Sequence, residues 1–305
     1  MNSKLPTLCC LLLAAATAAA GWYAPEVGQP GSTAIFKDSP LFVNWANGHA
    51  AYHPGDSVDV DWQTPAKAYG KAEGDIFTIA SLGNGGTITM VFPHPICDGP
   101  GADFAVFENS FSDYNLELAF VEVSSDGVNF VRFPAWSFTE EEVGPYAVGA
   151  MDPTDIEGFA GKYKAGFGTP FDLAALPASA TLDLQNIRFV RIVDIVGDGG
   201  TLDSGWRPIY DPTPTYGSGG FDLDGIGVIH QNAGPFQLTR AQITPQGFAL
   251  AWDSTPGSTY QIMESTDLKT WQLARTVPGN ATGTTTQAVM PMGTGPAKFW
   301  QVARP

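Results

Sequence analysis

The stretch Leu118-Ala119-Phe120-Val121-Glu122-Val123-Ser124-Ser125-Asp126-Gly127-Val128-Asn129-Phe130 decides the fold. Its first six residues alternate as a half-buried strand does. Asp126-Gly127 then supplies the dipeptide that a tight hairpin needs, because glycine takes a positive φ without a Cβ clash. The same alternation recurs in Thr87-Ile88-Thr89-Met90-Val91-Phe92 and in Arg188-Phe189-Val190-Arg191-Ile192-Val193, so antiparallel strands are expected along much of the chain. A second hairpin is predicted where residues 260–264 and 271–275 flank the polar turn 265–270. With 35 glycines and 24 prolines as punctuation, and no sustained 3.6-residue pattern beyond a turn or two near 171–176, the chain reads as all-β.

Working outward, the N-terminus sets an expected compartment. Lys4 precedes an apolar run from Leu8 to Ala16 and then Ala18-Ala19-Ala20, the pattern of a secretory signal peptide cleaved after residue 20. Most of the apolar run follows Cys9 and Cys10, which argues against a lipid-modified cysteine. Cleavage leaves Cys97 as the one cysteine of the mature chain, so stability is expected from core burial, with bound ions in support, and not from a disulfide. The reading is of a secreted or cell-surface protein with no membrane span and with envelope attachment left open.

Charge divides the chain. Residues 21–232 carry 28 Asp and Glu against 9 Lys and Arg, whereas residues 233–305 carry 3 against 5. An acid excess of this size disfavours nucleic acid and anionic membrane surfaces, both of which require basic stripes, and favours divalent cations or simple solubility. The composition shift coincides with Asn232-Ala233-Gly234-Pro235. The expected organisation is therefore a signal peptide (1–20), an acidic jelly-roll or galactose-binding-like sandwich (21–232), and a small immunoglobulin- or fibronectin type III-like sandwich (233–305) with Trp252, Tyr260, Trp271 and Trp300 in or near its core.

Four signatures carry a family resemblance: Ser81-Leu82-Gly83-Asn84-Gly85-Gly86-Thr87-Ile88; Asp98-Gly99-Pro100-Gly101-Ala102-Asp103-Phe104-Ala105-Val106-Phe107-Glu108-Asn109; Val121-Glu122-Val123-Ser124-Ser125-Asp126-Gly127; and Gly219-Gly220-Phe221-Asp222-Leu223-Asp224-Gly225-Ile226-Gly227-Val228. As a set they resemble a family of bacterial exported and cell-surface jelly-roll proteins, most of them without an assigned activity. The Ser-Leu-Gly and Phe-Glu-Asn pieces are more distantly similar to surface proteins that capture cobalamin. The last seventy residues, with Tyr260-Gln261, Ser265-Thr266-Asp267-Leu268 and Trp271-Gln272, resemble a fibronectin type III-like module that follows binding or catalytic domains in exported proteins. The resemblance implies a spacer or attachment role for that module.

Oxygen-rich loops are the candidate metal sites. Asp194, Asp198, Asp203, Asp222 and Asp224, with Asp211 nearby, lie among glycines that let a loop turn its carbonyls inward, and calcium takes six to eight such oxygens. Asp98, Asp103, Glu108 and Asn109 form a second set. The plainer reading is that these aspartates cap turns; the oxygen count favours calcium for the first set and leaves the second open. Glu108 and Glu122 sit among apolar neighbours and call for a partner, either a cation or Arg132, Arg188 or Arg191.

Aromatic residues in Gly- and Pro-rich connections offer flat apolar faces for a ligand, Trp206 and Tyr210 foremost, then Tyr216 and Trp136. Against this, each ring can simply pin its own loop. No Gly-x-Ser-x-Gly, His-Glu-x-x-His or phosphate-loop motif is present, and His49 and His53 fall where Pro54 favours a loop over a zinc-binding helix. The expected function is a non-catalytic, calcium-stabilised module binding an extracellular glycan. A cobalamin-capturing protein, a polysaccharide hydrolase using two facing carboxylates, and a structural or adhesive surface protein stand as alternatives.

Overall fold

The alternation at 118–123 divides between two cores. In the strand Ala119–Ser124, Ala119, Val121 and Val123 enter the central core of the large sandwich, whereas Phe120 points to the opposite face and into a second, smaller core. The computed structural model describes residues 21–145, 151–232, 237–254, 258–280, 285–292, 295 and 297–303. The signal peptide expected at 1–20 and residues 233–236 of the boundary lie outside the described residues.

Ala119–Ser124 belongs to a five-stranded antiparallel sheet in the order Gly48–His53, Thr87–Ile96, Ile187–Asp194, Ala119–Ser124, Val131–Arg132. Facing it is a sheet in the order Ile35–Phe36, Phe167–Phe171, Phe104–Glu108, Asp222–Val228, Asn44–Trp45, with Ala80–Ser81 also pairing to Asp222–Val228. Ile88, Met90, Val190 and Ile192 of the first sheet meet Phe104, Val106, Ile226 and Val228 of the second. His49 and His53 therefore lie on a strand, because Gly48–His53 pairs with Thr87–Ile96, and His49 Nδ1 is hydrogen-bonded to the Tyr69 hydroxyl.

Long connections cover both outer faces. Met151, Ile156, Phe159, Ile195 and Ile209 close over Phe120, and Ala72 with the partly buried Phe42 and Trp45 closes over Ala105 and Phe107. Strands covered on both sides lose the inside-outside contrast that solvent imposes, which is why every residue of Phe104–Glu108 and of Asp222–Val228 is buried. On the remaining open stretch, Glu122 lies between Arg132 at 2.8 Å and Arg191, so the predicted ion pair forms with those two arginines. Arg188 instead donates to Asn186.

The C-terminal part is a second, smaller sandwich of two three-stranded sheets. One runs Leu238–Thr244, Gly247–Asp253, Thr285–Met290 and the other Gln272–Pro278, Thr259–Ser265, Phe299–Ala303. Trp252 and Tyr260 are fully buried and meet edge to face at 5.7 Å, with Phe248 stacked on Trp300 at their side. Trp271 is half-buried. The all-β class expected from the alternation holds in both parts.

Both predicted hairpins form, and they use the same turn chemistry. Ser124 Oγ accepts from the amides of Asp126 and Gly127, and Asp126 Oδ1 accepts from those of Val128 and Asn129. Ser265 and Asp267 repeat this with Asp267, Leu268, Lys269 and Thr270. The residue needing positive φ is Gly127 in one turn (77°) but Leu268 in the other (58°). A β-carbon in this left-handed region is strained by about 1 kcal/mol. Leu268→Gly, at an exposed position, is therefore expected to stabilise the small sandwich by up to about 0.5 kcal/mol, net of glycine's greater freedom in the unfolded chain. Urea denaturation of the full chain followed by tryptophan fluorescence measures this, and a destabilised variant would refute the strain.

Candidate functional site

Most of the predicted calcium ligands are structural acceptors of backbone N–H groups. Asp194 ends the central strand Ile187–Asp194; its Oδ1 accepts from Phe221 N at 2.7 Å and its Oδ2 from Gly85 N at 2.8 Å. Asp224 accepts from Glu73 N and Gly74 N at 2.9 and 2.8 Å. Asp203 accepts from the amides of Ser137, Gly205 and Arg207 and pairs with the Arg207 guanidinium at 2.7 Å. Asp198 is exposed and accepts from Gly200 N. Among the described residues the carboxylates from 194 to 224 are thus not gathered as ligands of one ion; Asp194, Asp203 and Asp224 each tie down the amides of a different loop.

The second set separates as well. Asp103 Oδ1 accepts from Gly99 N and His230 Nδ1, both at 2.8 Å, and its Oδ2 from Leu173 N at 2.7 Å. Among the described residues, the trio whose ligand atoms lie within 4.8 Å of one another is Asp98, Asp103 and Asp172. Asp172, however, caps a 3-10 helix at Ala174 N. Glu108 and Asn109 stand at the other end of the strand Phe104–Glu108, roughly 16 Å away at the rise of an extended chain. They join Asp222 instead.

That junction forms a site. Asp222 begins the strand Asp222–Val228 and accepts from Ser81 Oγ and, at 3.1 Å, from Asn109 Nδ2. Asp222 and Asp224 take different partners because the register shifts between Leu223 and Gly225. Glu108 Oε2 accepts from Ser110 N at 2.7 Å, while its Oε1 is buried without a partner. Glu117 completes the group, and among the described residues no hydrogen bond reaches its carboxylate. Glu117 and Asp222 line a cleft of about 160 Å³ whose walls also include Phe111, Asn115, Tyr216 and Ser218, and the Glu108 carboxyl feels the charge of Asp222.

Burial, reinforced by mutual repulsion, dominates the electrostatics here. It raises Glu108 well above the usual carboxylate range with Asp222 adding to it, and raises Glu117 similarly with help from Asp222 and Glu108. Asp222 is pushed up to about 7 by burial against the lowering bonds from Ser81 and Asn109. Among the described residues no lysine or arginine pairs with any of the three, so the ion pair expected for Glu108 is not made.

Of the four predicted ligand-binding rings, only Tyr216 lines this cleft, 70 % exposed; Phe111 joins it, also 70 % exposed. Trp206 is exposed at the turn after Asp198–Leu202, away from the cleft. The Tyr210 ring lies against Gly199, where a β-carbon would come within 2.6 Å of it, and Trp136 is half-buried on a short strand. Glu117 and Phe111 carried no sequence signal beyond an acidic residue between Leu116 and Leu118, both buried, which alternation places on the opposite face.

No family model matches the chain, and no curated protein matches it. Among solved structures, a β-1,2-glucanase from Parabacteroides distasonis is similar over 82 % of this chain and 34 % of its own, at 12 % identity and a TM-score of 0.28. The chain spans about a third of that enzyme's length, and a likeness of this degree bears on neither activity nor ligand.

Next to the site, Asp194 is raised to about 7 by burial, and Asp211, which accepts from Leu118 N, is raised by burial and then by Asp194. Between the ordinary aspartate value and the raised one, the folded chain holds protons that the unfolded chain has released, so stability falls as pH rises from about 4 to 7. In buffer free of divalent cations, the melting temperature is expected to be higher at pH 5 than at pH 8. Calorimetry measures it, and a midpoint that rises with pH would contradict the raised values.

Proposed function

We propose that this chain is an exported, non-catalytic binding protein whose acidic cleft takes carbohydrate, with the small sandwich as a spacer. The observation that carries the reading is the pairing of exposed Tyr216 and Phe111 rings with the carboxyls of Glu117 and Asp222 in one cleft. A sugar has the complementary chemistry: an apolar C–H face to lie on a ring, and hydroxyls that donate to carboxylate oxygens or accept from protonated ones.

Glycan-array screening followed by titration calorimetry of the full chain tests this. Tyr216→Ala and Phe111→Ala are each expected to weaken the captured glycan by roughly 1 kcal/mol, about fivefold, with unchanged melting temperature because both rings are exposed. A blank array, or full affinity in both variants, overturns the reading.

A second reading rests on one observation, that Glu117 and Asp222 face the same cleft with carboxyls both raised, as the acid of a glycoside hydrolase is. It requires release of reducing ends from a polysaccharide and loss of that release in Asp222→Asn.

A further inference from the structure

A second aromatic platform stands beside the cleft. Phe77 is 63 % exposed and stacks on the half-buried Trp62, with ring centroids 6.5 Å apart and planes 20° from parallel. Val60, 77 % exposed, adds aliphatic surface two residues before Trp62. Exposed apolar surface of this kind is disfavoured in water, yet the chain holds it still. Asp75 Oδ1 accepts from the amides of Phe77 and Thr78 at 2.6 and 2.7 Å. Lys67 Nζ donates to the Phe77 carbonyl at 2.8 Å while lying 5.5 Å from the Trp62 ring centre, and Thr64 Oγ1 donates to the Ile79 carbonyl at 3.0 Å. A ring already fixed loses little freedom when a ligand covers it.

The platform adjoins the cleft rim. Val58 bridges in antiparallel fashion to Ser218, a cleft-wall residue, and Asp59 N donates to Gly217 O at 2.8 Å. The Asp59 carboxylate turns toward Gly217, its Oδ2 3.9 Å from where a β-carbon there would stand. The 3-10 turn Val60–Trp62 follows at once. One residue step, one bridge and that turn separate Tyr216 from Trp62, so their α-carbons are no more than roughly 15 Å apart.

Resting on the carbohydrate reading of the cleft, we propose that Trp62 and Phe77 form a second sugar subsite, so that the chain binds a neutral polysaccharide along its length and not a single sugar. Sugar units present apolar faces at intervals along a polymer, which separated aromatic platforms match. Acceptors for the hydroxyls flank the second platform, where the Asp59 and Asp61 carboxylates are exposed. Those carboxylates, with Glu117 and Asp222 in the cleft and 28 acidic against 9 basic residues over 21–232, repel uronate and sulfate groups. The charge therefore selects a neutral polymer. Two weak subsites joined by one covalent chain reinforce each other, because filling the first raises the effective concentration of sugar at the second.

Native electrophoresis of the full chain through gels containing laminarin, hydroxyethylcellulose, galactomannan, soluble starch or polygalacturonate tests the polymer class. Retardation is expected in at least one neutral gel and not in polygalacturonate. Calorimetry with the disaccharide and hexasaccharide of the retarding polymer then reads the length dependence, and the hexasaccharide is expected to bind at least about tenfold more tightly. Phe77→Ala removes an exposed ring and keeps the backbone bonds at that residue. It is expected to weaken the hexasaccharide about fivefold while leaving the disaccharide and the melting temperature unchanged. Tyr216→Ala is expected to weaken both lengths. Equal affinity for the two lengths, or a hexasaccharide weakened by Tyr216→Ala but not by Phe77→Ala, overturns the second subsite and leaves the cleft reading standing. Retardation by polygalacturonate alone overturns the neutral class. No retardation in any gel overturns both the subsite and the carbohydrate reading beneath it.

Discussion

The large sandwich is held at one end by Asp194, a carboxylate at the last position of a central strand that reaches sideways to the amides of Gly85 and Phe221. Backbone amides in loops over a dry core must find acceptors, and the strand ends cannot supply enough carbonyls. A carboxylate accepts from two directions at once. Asp203, Asp211, Asp224 and Asp103 repeat the device around the molecule. The acidity of the large domain is thus in considerable part architectural: long loops that cover both sheets are tied down by aspartates. The cleft opens among those loops.

This use of aspartate explains what could be read from the sequence. Strands such as Ala119–Ser124 and Ile187–Asp194 announce themselves because alternation is local, and the Ser-x-Asp turns do so because every participant lies within five residues. The oxygen-rich character of residues 98–109 and 194–224 is equally plain. Which oxygens meet amides and which meet each other is not, because it depends on partners far apart in the chain: Asn109 and Asp222 are 113 residues apart, Ser81 and Asp222 141. Glycine-rich loops around aspartate look alike whether they wrap an ion or donate their own N–H groups. Glu117 went unseen for a related reason. Its strand-like neighbours Leu116 and Leu118 are covered by the second core, and nothing in the sequence distinguishes that cover from the main one.

The cleft combines groups of opposite demand. Tyr216 and Phe111 are exposed apolar surfaces, which only a ligand or partner relieves, while nearby Glu108 is buried with one carboxylate oxygen unpartnered. Fold stability alone favours neither arrangement. Their coincidence at one place, while the remaining buried aspartates are well supplied with amides, separates this junction from the rest of the acidic surface.

The lengths of the edge strands set a different constraint. In the large sandwich three of the four outermost strands, Ile35–Phe36, Asn44–Trp45 and Val131–Arg132, are two residues long and offer almost no free backbone for another chain to pair with. In the small sandwich the outermost strands run five to seven residues, and Gln272–Pro278 is exposed at six of its seven positions. Self-association by strand addition therefore has its open template in the neutral C-terminal part, where mutual charge repulsion is weakest, and is blocked at most edges of the acidic part that carries the cleft.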